Sequence, residues 1–409
     1  VLPTNFVDTP PDLTTEDTFG ATNIIISSLE EAVSRGASDI HFERGCVYEG
    51  RIVNAIRFRL GGKLEVYRIY DPVVMEALVA RIKVLANLRL DEKRLPQDGR
   101  LSVASPKSPG GRIEGRVSVL GTHRGEEVVI RILPPEGGIP DLETLIEDPE
   151  IRQGYKAVLG KPYGIFLVTG PTGSGKSSTL AALLRLLVST RPDKKVLTVE
   201  DPIEYRIPGI TQVQAQEDIG LTFARALRSF LRQDPDVIMV GEIRDSETAK
   251  IAVEAALTGH LVLATLHVNT SLGVVRRLEQ MGVEGYKVLD SLLGASAQRL
   301  VPRLCPNCAL PDPEAQERVG GEPKRAGFNP KCSLCAGRGY RGRLGVQEIF
   351  FLTSSVKEVL ARSRPEEFSL QMERVLKEEG FKTMYERGLV FVRQGVISLK
   401  DLEESTYAF

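Results

Sequence analysis

A chain of 409 residues exceeds what one compact core holds and predicts two or three domains at about 150 residues each. Its 42% apolar and 26% charged composition excludes a disordered, collagen-like or disulfide-stapled chain. With 53 Lys+Arg against 54 Asp+Glu the formal net charge is −1, so nothing in the overall balance draws the chain toward a polyanion, and nucleic acid is not the expected partner.

The chain begins at Val1 rather than Met, which predicts an upstream segment that is missing. Residues 1–20 read as a linker from that segment, because the first nineteen hold four acids, no base and three prolines. They carry neither a basic stretch nor an apolar one of the signal-peptide kind, and no later run approaches the ~20 apolar residues a membrane span needs, so a cytoplasmic location is expected. From 21 to 133, alternation as in Ala55 to Leu60 and Val128 to Leu133 predicts strands, and Val73 to Leu88 has helical period: a small α+β domain. Pro134-Pro135-Glu136-Gly137-Gly138-Ile139-Pro140 breaks both periods and places an interdomain linker at 134–150. Over 151–300, apolar runs (Gly164 to Thr169, Val196 to Val199, Val237 to Val240, Leu261 to Thr265) alternate with helical stretches, the pattern of a mostly parallel sheet covered on both faces. Residues 301–345 are Pro- and Gly-rich, and 346–409 read as helical.

The chemistry starts at Gly170-Pro171-Thr172-Gly173-Ser174-Gly175-Lys176-Ser177-Ser178, which fits G-x-x-x-x-G-K-[ST] between the strand Ile165 to Val168 and a helix over Ser178 to Leu187. Glycines let successive backbone N–H groups converge on phosphate oxygens at a helix N-terminus, Lys176 reaches the β- and γ-phosphates, and the Ser177 hydroxyl ligates Mg²⁺. ATP with Mg²⁺ is therefore the expected ligand. Val237 to Val240 runs into Gly241-Glu242 as an acid-ended strand expected beside the phosphate-loop strand. Gly241 stands where many such proteins put a metal-holding Asp, so Glu242 reads as the water-orienting base and the metal needs other carboxylates. Glu200, Asp201 and Glu204, at the end of Val196 to Val199, supply them, and Glu200 and Glu204 remain rivals to Glu242 as the base. Of four histidines, His260 and His267 flank Leu261 to Thr265, which would carry His267 to the nucleotide edge as a γ-phosphate sensor.

Cys305-x2-Cys308 and Cys332-x2-Cys335, with 23 residues between the pairs, predict a tetracysteine zinc site clipping a loop that has no core of its own. Four thiolates leave no open coordination position, so the Zn²⁺ is structural. Cys46 is left over as a buried apolar thiol.

Taken together these stretches resemble the secretion ATPase superfamily, specifically the assembly ATPase of type IV pili and its type II secretion counterpart. The similarity runs from about Ala37 to the C-terminus through Ala37-Ser38-Asp39-Ile40-His41-Phe42-Glu43, Arg94-Leu95-Pro96-Gln97-Asp98-Gly99-Arg100, the phosphate loop, Glu200 to Glu204, Gly241-Glu242-Ile243-Arg244-Asp245, Thr258 to His267 and the tetracysteine loop. The resemblance implies an α/β fold with a RecA-like ATPase domain, a smaller PAS-like α+β domain and a zinc-containing, helical C-terminal region. It assigns the base to Glu242, γ-phosphate sensing to His267 and arginine-finger roles to Arg116 and Arg131, both on the smaller domain. It further implies a homo-hexamer that turns a polytopic inner-membrane platform protein at the cytoplasmic face. Arg59-Leu60-Gly61-Gly62 departs from the family pattern, which has an Asp before the second Gly, and an altered turn is expected there. Retraction members generally lack the tetracysteine loop, so its presence points to assembly or secretion rather than pilus disassembly; pilus assembly is the expected function, with type II secretion as the alternative. A nucleic-acid translocase on the same fold is a more distant alternative, disfavoured by the balanced charge.

Overall fold

The computed structural model describes residues 17–108, 111–133, 138–335, 337–362 and 367–406. The chain divides into two compact units, Val1–Gly138 and Ile139–Phe409. Most of the expected N-terminal linker (residues 1–16), the Pro134 to Gly137 break and the last three residues lie outside the described residues.

The first unit contains α1 (Asp17–Ser34), β1 (Asp39–Tyr48), β2 (Arg51–Leu60), β3 (Lys63–Tyr70), α2 (Pro72–Leu85), β4 (Gln97–Ala104), β5 (Arg112–Thr122) and β6 (Gly125–Ile132). The helix α1 already starts at Asp17, so the expected linker edge at 20 falls inside it. All pairings are antiparallel, in the order β3-β2-β1-β6-β5-β4. Alternation along the strands does the sorting: Ile40, Phe42, Ile56, Phe58, Val117, Val119, Val128 and Ile130 are buried in one core with Ile25 and Leu29 of α1 and Met75, Leu78 and Ile82 of α2. The opposite parity carries charge. The departing turn Gly61-Gly62 closes β2 onto β3 with φ of 58° and 89°, a two-residue hairpin that needs positive φ at both positions, which glycine adopts without cost.

The second unit runs α3 (Leu142–Leu145), α4 (Pro149–Leu159), β7 (Gly164–Thr169), α5 (Lys176–Thr190), β8 (Val196–Glu200), β9 (Thr211–Gln214), α6 (Phe223–Phe230), β10 (Val237–Val240), α7 (Ser246–Leu257), β11 (Leu261–Leu266), α8 (Val274–Gln280), α9 (Gly285–Ser291), β12 (Leu292–Leu304), β13 (Leu310–Pro311), α10 (Pro313–Val319), β14 (Lys324–Arg325), β15 (Tyr340–Phe351), α11 (Ser354–Arg362), α12 (Phe368–Glu378), α13 (Met384–Arg393) and α14 (Leu399–Thr406). Its main sheet has the order β15-β12-β7-β11-β10-β8-β9, parallel except for β15 against β12. Both faces are covered: Ile165, Leu167, Val199, Ile238, Val240, Val262 and Ala264 point into one core, and Phe166, Val168, Met239, Leu261 and Leu263 into the other.

Two expectations are corrected here. The stretch after Gly345 is not helical from its start: β15 continues to Phe351, and the sequence-drawn edges at 300 and 345 fall inside β12 and β15. The spacing of Val346, Ile349 and Phe350 imitates a helix because Val346 to Phe350 are all buried, polar Gln347 and Glu348 included, so alternation is lost. Nor does the Glu242 strand lie beside the phosphate-loop strand, since β11 is inserted between β7 and β10.

Candidate functional site

Four loops leave the C-terminal edge of the parallel sheet side by side. In sheet order they carry the glycine-rich loop after β7, His267 after β11, Gly241-Glu242 after β10, and Glu200-Asp201 at the end of β8. Parallel strands deliver their loops to one edge, so a single packing decision gathers residues up to 97 positions apart in sequence, Gly170 to His267.

The glycine-rich loop is held from below by β12. Gln298 Nε2 donates to the Ser174 carbonyl at 2.7 Å, and Thr179 Oγ1 of α5 donates to Gln298 Oε1 at 3.0 Å. Gly170 has φ 142°, and a Cβ there would lie 2.6 Å from the Gln298 carbonyl, so only glycine passes. Lys176 Nζ donates to the carbonyls of Gly170 (2.9 Å) and Pro171 (3.0 Å). Burial pulls its ammonium below the ordinary lysine range, opposed by the negative field of Glu242. Ser174 Oγ is buried and has no hydrogen-bond partner among the described residues. A donor without an acceptor and an ammonium resting on carbonyls at a helix N-terminus fit phosphate oxygens. Ser177 is exposed at the start of α5, and Ser178 Oγ shares a hydrogen bond of 2.8 Å with Tyr205 Oη.

Glu242 is the hub of the acidic group. Its Oε1 lies 2.7 Å from His267 Nε2, and its Oε2 accepts from Arg244 Nε at 2.9 Å; Arg244 also reaches Asp201 Oδ2 at 3.4 Å. Glu200 is engaged differently. Its Oε1 accepts from Thr198 Oγ1 (2.7 Å) and Gln212 Nε2 (2.9 Å), and burial raises its pKa against those two hydrogen bonds. Glu204 is half-buried on the following turn. A cleft of about 620 Å³ beside the loop is lined by Pro171, Thr172, His267, Asn269, Arg276 and Arg277, so His267 shares it with the phosphate loop. Glu200 and Asp201, expected with Ser177 to hold Mg²⁺, lie at the same sheet edge as the glycine-rich loop.

The missing Asp at position 241 has a physical cause. A Cβ on Gly241 would lie 3.1 Å from both the Val199 carbonyl and Glu200 Cα, where β8 is locked between β10 and β9. The substitution Gly241→Asp is expected to push β8 and Glu200 outward, lowering stability by about 1–3 kcal/mol and turnover at least tenfold; a thermal melt alongside phosphate release checks it. Unchanged melting would show that β8 yields without cost.

On the first unit, Arg116 and Arg131 are direct cross-strand partners on β5 and β6. Register extends the row on both sides: Arg100 pairs with Arg116, Arg131 with Asp39, and Asp39 with Arg59. Arg131 Nε donates to Asp39 Oδ1 at 2.9 Å. Four guanidiniums and the Asp39 carboxylate thus form one charged band across five strands. Sequence reading singled out Arg116 and Arg131 but not Arg59 or Arg100 as members of this band; the parity of the strands was the available signal.

The four loop cysteines converge as expected. All are buried and free, their sulfurs lie within 4.8 Å of one another, and the Cys305–Cys332 and Cys308–Cys335 separations are 3.8 and 3.5 Å. A tetrahedral site with Zn–S bonds of about 2.3 Å has its sulfurs about 3.8 Å apart, so the donor set fits Zn²⁺. Cys46, by contrast, is only partly buried, with Sγ 3.4 Å from the Val53 carbonyl.

A mostly parallel sheet whose strand β7 opens into a phosphate loop and helix is the architecture of the P-loop class. The chain belongs to the type II/IV secretion system protein family, whose model matches residues 15–404. It is 41% identical over 394 residues to the type IV pilus assembly ATPase PilB of Thermus thermophilus, covering 94% of this chain but 43% of that protein. Against the type II secretion system protein E of Pectobacterium carotovorum it is 48% identical over 346 residues, covering 83% and 67%; against the type II secretion system ATPase E of Vibrio cholerae, 43% over 404 residues, covering 96% and 77%. Among solved structures, the Legionella pneumophila ATPase DotB shares the fold with a TM-score of 0.72 at 24% identity, covering 97% of each chain. The pilus retraction motor PilT with bound ADP superposes with a TM-score of 0.62 at 26% identity, covering 93% of this chain and 96% of that one. No helix among the described residues is long and apolar enough to cross a membrane.

Proposed function

We propose that this chain is the catalytic portion of a hexameric motor ATPase that drives type IV pilus assembly from the cytoplasmic face of the inner membrane. The observation that carries this reading is the joining of Glu242 to His267 beside a phosphate loop whose Ser174 hydroxyl and Lys176 ammonium fit phosphate. In the proposed reaction Lys176 and the loop amides hold the β- and γ-phosphates, Glu242 orients and deprotonates the attacking water, and His267 registers the terminal phosphate. When bound, Mg²⁺ would be held by Ser177, Glu200 and Asp201 and would supply neutralisation of the phosphate charge. The second unit is read as RecA-like and the first as PAS-like, the latter carrying Arg116 and Arg131 as fingers. The adjacency of their strands supports that reading, because two planar, permanently charged forks side by side suit the equatorial oxygens of a transferring phosphoryl group. A hexamer moving a polytopic membrane platform protein is part of this proposal, as the family resemblance implies.

Arg116→Ala and Arg131→Ala are each expected to lower turnover by about 10³-fold or more while leaving ATP affinity within about threefold. Specific activity of the unaltered protein is expected to rise with protein concentration as subunits assemble. Phosphate release measured across a dilution series checks both, and full activity in either variant at high concentration removes that arginine from the finger role. A second reading, pseudopilus assembly in type II secretion, is favoured by the 48% identity to a type II secretion protein E. Deletion of the gene separates the two: loss of twitching and DNA uptake supports the pilus, and trapped periplasmic enzymes support secretion.

A further inference from the structure

Besides the His267–Glu242 contact, two contacts outside the nucleotide-binding motifs tie the loop bearing His267 to the rest of the unit. Arg299, next to Gln298 on β12, is buried and donates through Nη2 to the Asn269 carbonyl at 3.1 Å. Because strand neighbours face opposite ways, Gln298 grips the phosphate loop while Arg299 grips the His267 loop. The second point is Glu348 on β15, a carboxylate only 5% exposed. Its Oε1 accepts both the Ser271 N–H and the Ser271 hydroxyl at 2.8 Å, and its Oε2 accepts the Met384 N–H at 2.9 Å. Met384 opens α13, a ten-residue helix capped by a reciprocal Thr383–Glu386 pair, so the buried charge also meets the positive end of that helix. The same helix is tied to α4 by Arg387 Nη1 on Asp148 Oδ2 at 2.8 Å. Taking a carboxylate out of water is costly, and an apolar side chain here would fill the space. What an apolar side chain could not supply is one rigid group that receives the His267 loop with one oxygen and the start of α13 with the other.

We propose that Glu348 is a positioning residue for ATP hydrolysis. Through Ser271 it sets where His267 stands against Glu242, and through Met384 it makes that position answer to movement of α13. The inference rests on the hydrolytic reading above. Glu348→Gln keeps an acceptor for Ser271 but turns one end of the side chain into a donor, which opposes either the Ser271 or the Met384 N–H.

The test compares kcat, KM and fluorescent-ATP affinity in the full chain for Glu348→Gln, Ser271→Ala, His267→Ala, the double variant Glu348→Gln/His267→Ala, and Glu242→Gln. Glu348→Gln is expected to lower kcat about tenfold with KM and affinity within about twofold, and to cost less than about twofold more when His267 is already alanine. Ser271→Ala removes one of the two Ser271 hydrogen bonds to Glu348 and keeps the N–H one, so it should lower kcat about threefold while the chain stays folded, which keeps the test informative if Glu348→Gln folds poorly. Wild-type kcat in Glu348→Gln, or losses that multiply fully in the double variant, overturn the proposal. Persistent turnover in Glu242→Gln instead overturns the assignment of the base to Glu242, on which this inference rests.

Discussion

Glu242→Gln is expected to leave ATP binding within about threefold of the parent and to cut turnover by about 10³-fold or more, the range a lost general base produces. The two halves of that outcome separate because they live on different strands. Lys176 and the glycine-rich loop follow β7 and are braced by Gln298, whereas Glu242 follows β10 and touches His267 and Arg244. Glutamine preserves the shape and one acceptor oxygen but takes no proton, and its amide must face either the His267 ring or the Arg244 guanidinium. Glu200 is the less suited rival, since its Oε1 already accepts two hydrogen bonds, from Thr198 and Gln212. Phosphate release together with fluorescent-nucleotide titration decides the matter; turnover near the parent level would move the base to Glu200 or Glu204.

Metal analysis is expected to find about one zinc per chain, and Cys305→Ser or Cys332→Ser to lose it and open the segment between residues 305 and 339 to proteolysis. The cysteines themselves have little else around them, with Leu334 as their apolar neighbour among the described residues, whereas Ala315 of α10 packs separately with Met384, Phe391 and Leu402. Among the four sulfurs, hydrogen bonding from Cys308 and from backbone amides holds the Cys332 thiol well below its ordinary range, while burial pushes Cys305 up. A bound cation makes all of them thiolates, and structural zinc in small modules contributes about 10–16 kcal/mol of apparent binding energy at neutral pH. Nucleotide affinity should change little, because Cys305 lies beyond the end of β12, whereas the contacts to the phosphate loop come from Gln298 within it. A folded, zinc-free and disulfide-bonded preparation would defeat the tetrathiolate assignment.

Much of the chemistry was legible in order along the chain. The spacing of Gly170, Gly175 and Lys176, the two C-x-x-C pairs and the apolar runs Gly164 to Thr169 and Leu261 to Thr265 are local patterns. They express what a few consecutive residues do to backbone dihedrals, ligand geometry and strand burial. Position 241 was legible as an absence, and the structure supplied its cause in the approach of β8. The stretch from Val346 to Phe350 misled, because a strand buried on both faces shows no alternation and its spacing imitates a helix.

What the residues indicated unaided, then, was which local elements offer a phosphate-loop spacing, paired cysteine ligands and acid-ended strands, since those patterns are each written in short stretches of chain. Tertiary structure alone decided that β11 separates β7 from β10, so that His267 stands between the phosphate loop and Glu242. It alone aligned Arg100, Arg116, Arg131, Asp39 and Arg59 across five strands, and delivered Glu348 to the loop of Ser271. Those choices depend on strand order and register, which are set by burying two faces of one sheet at once, a constraint that no single segment contains.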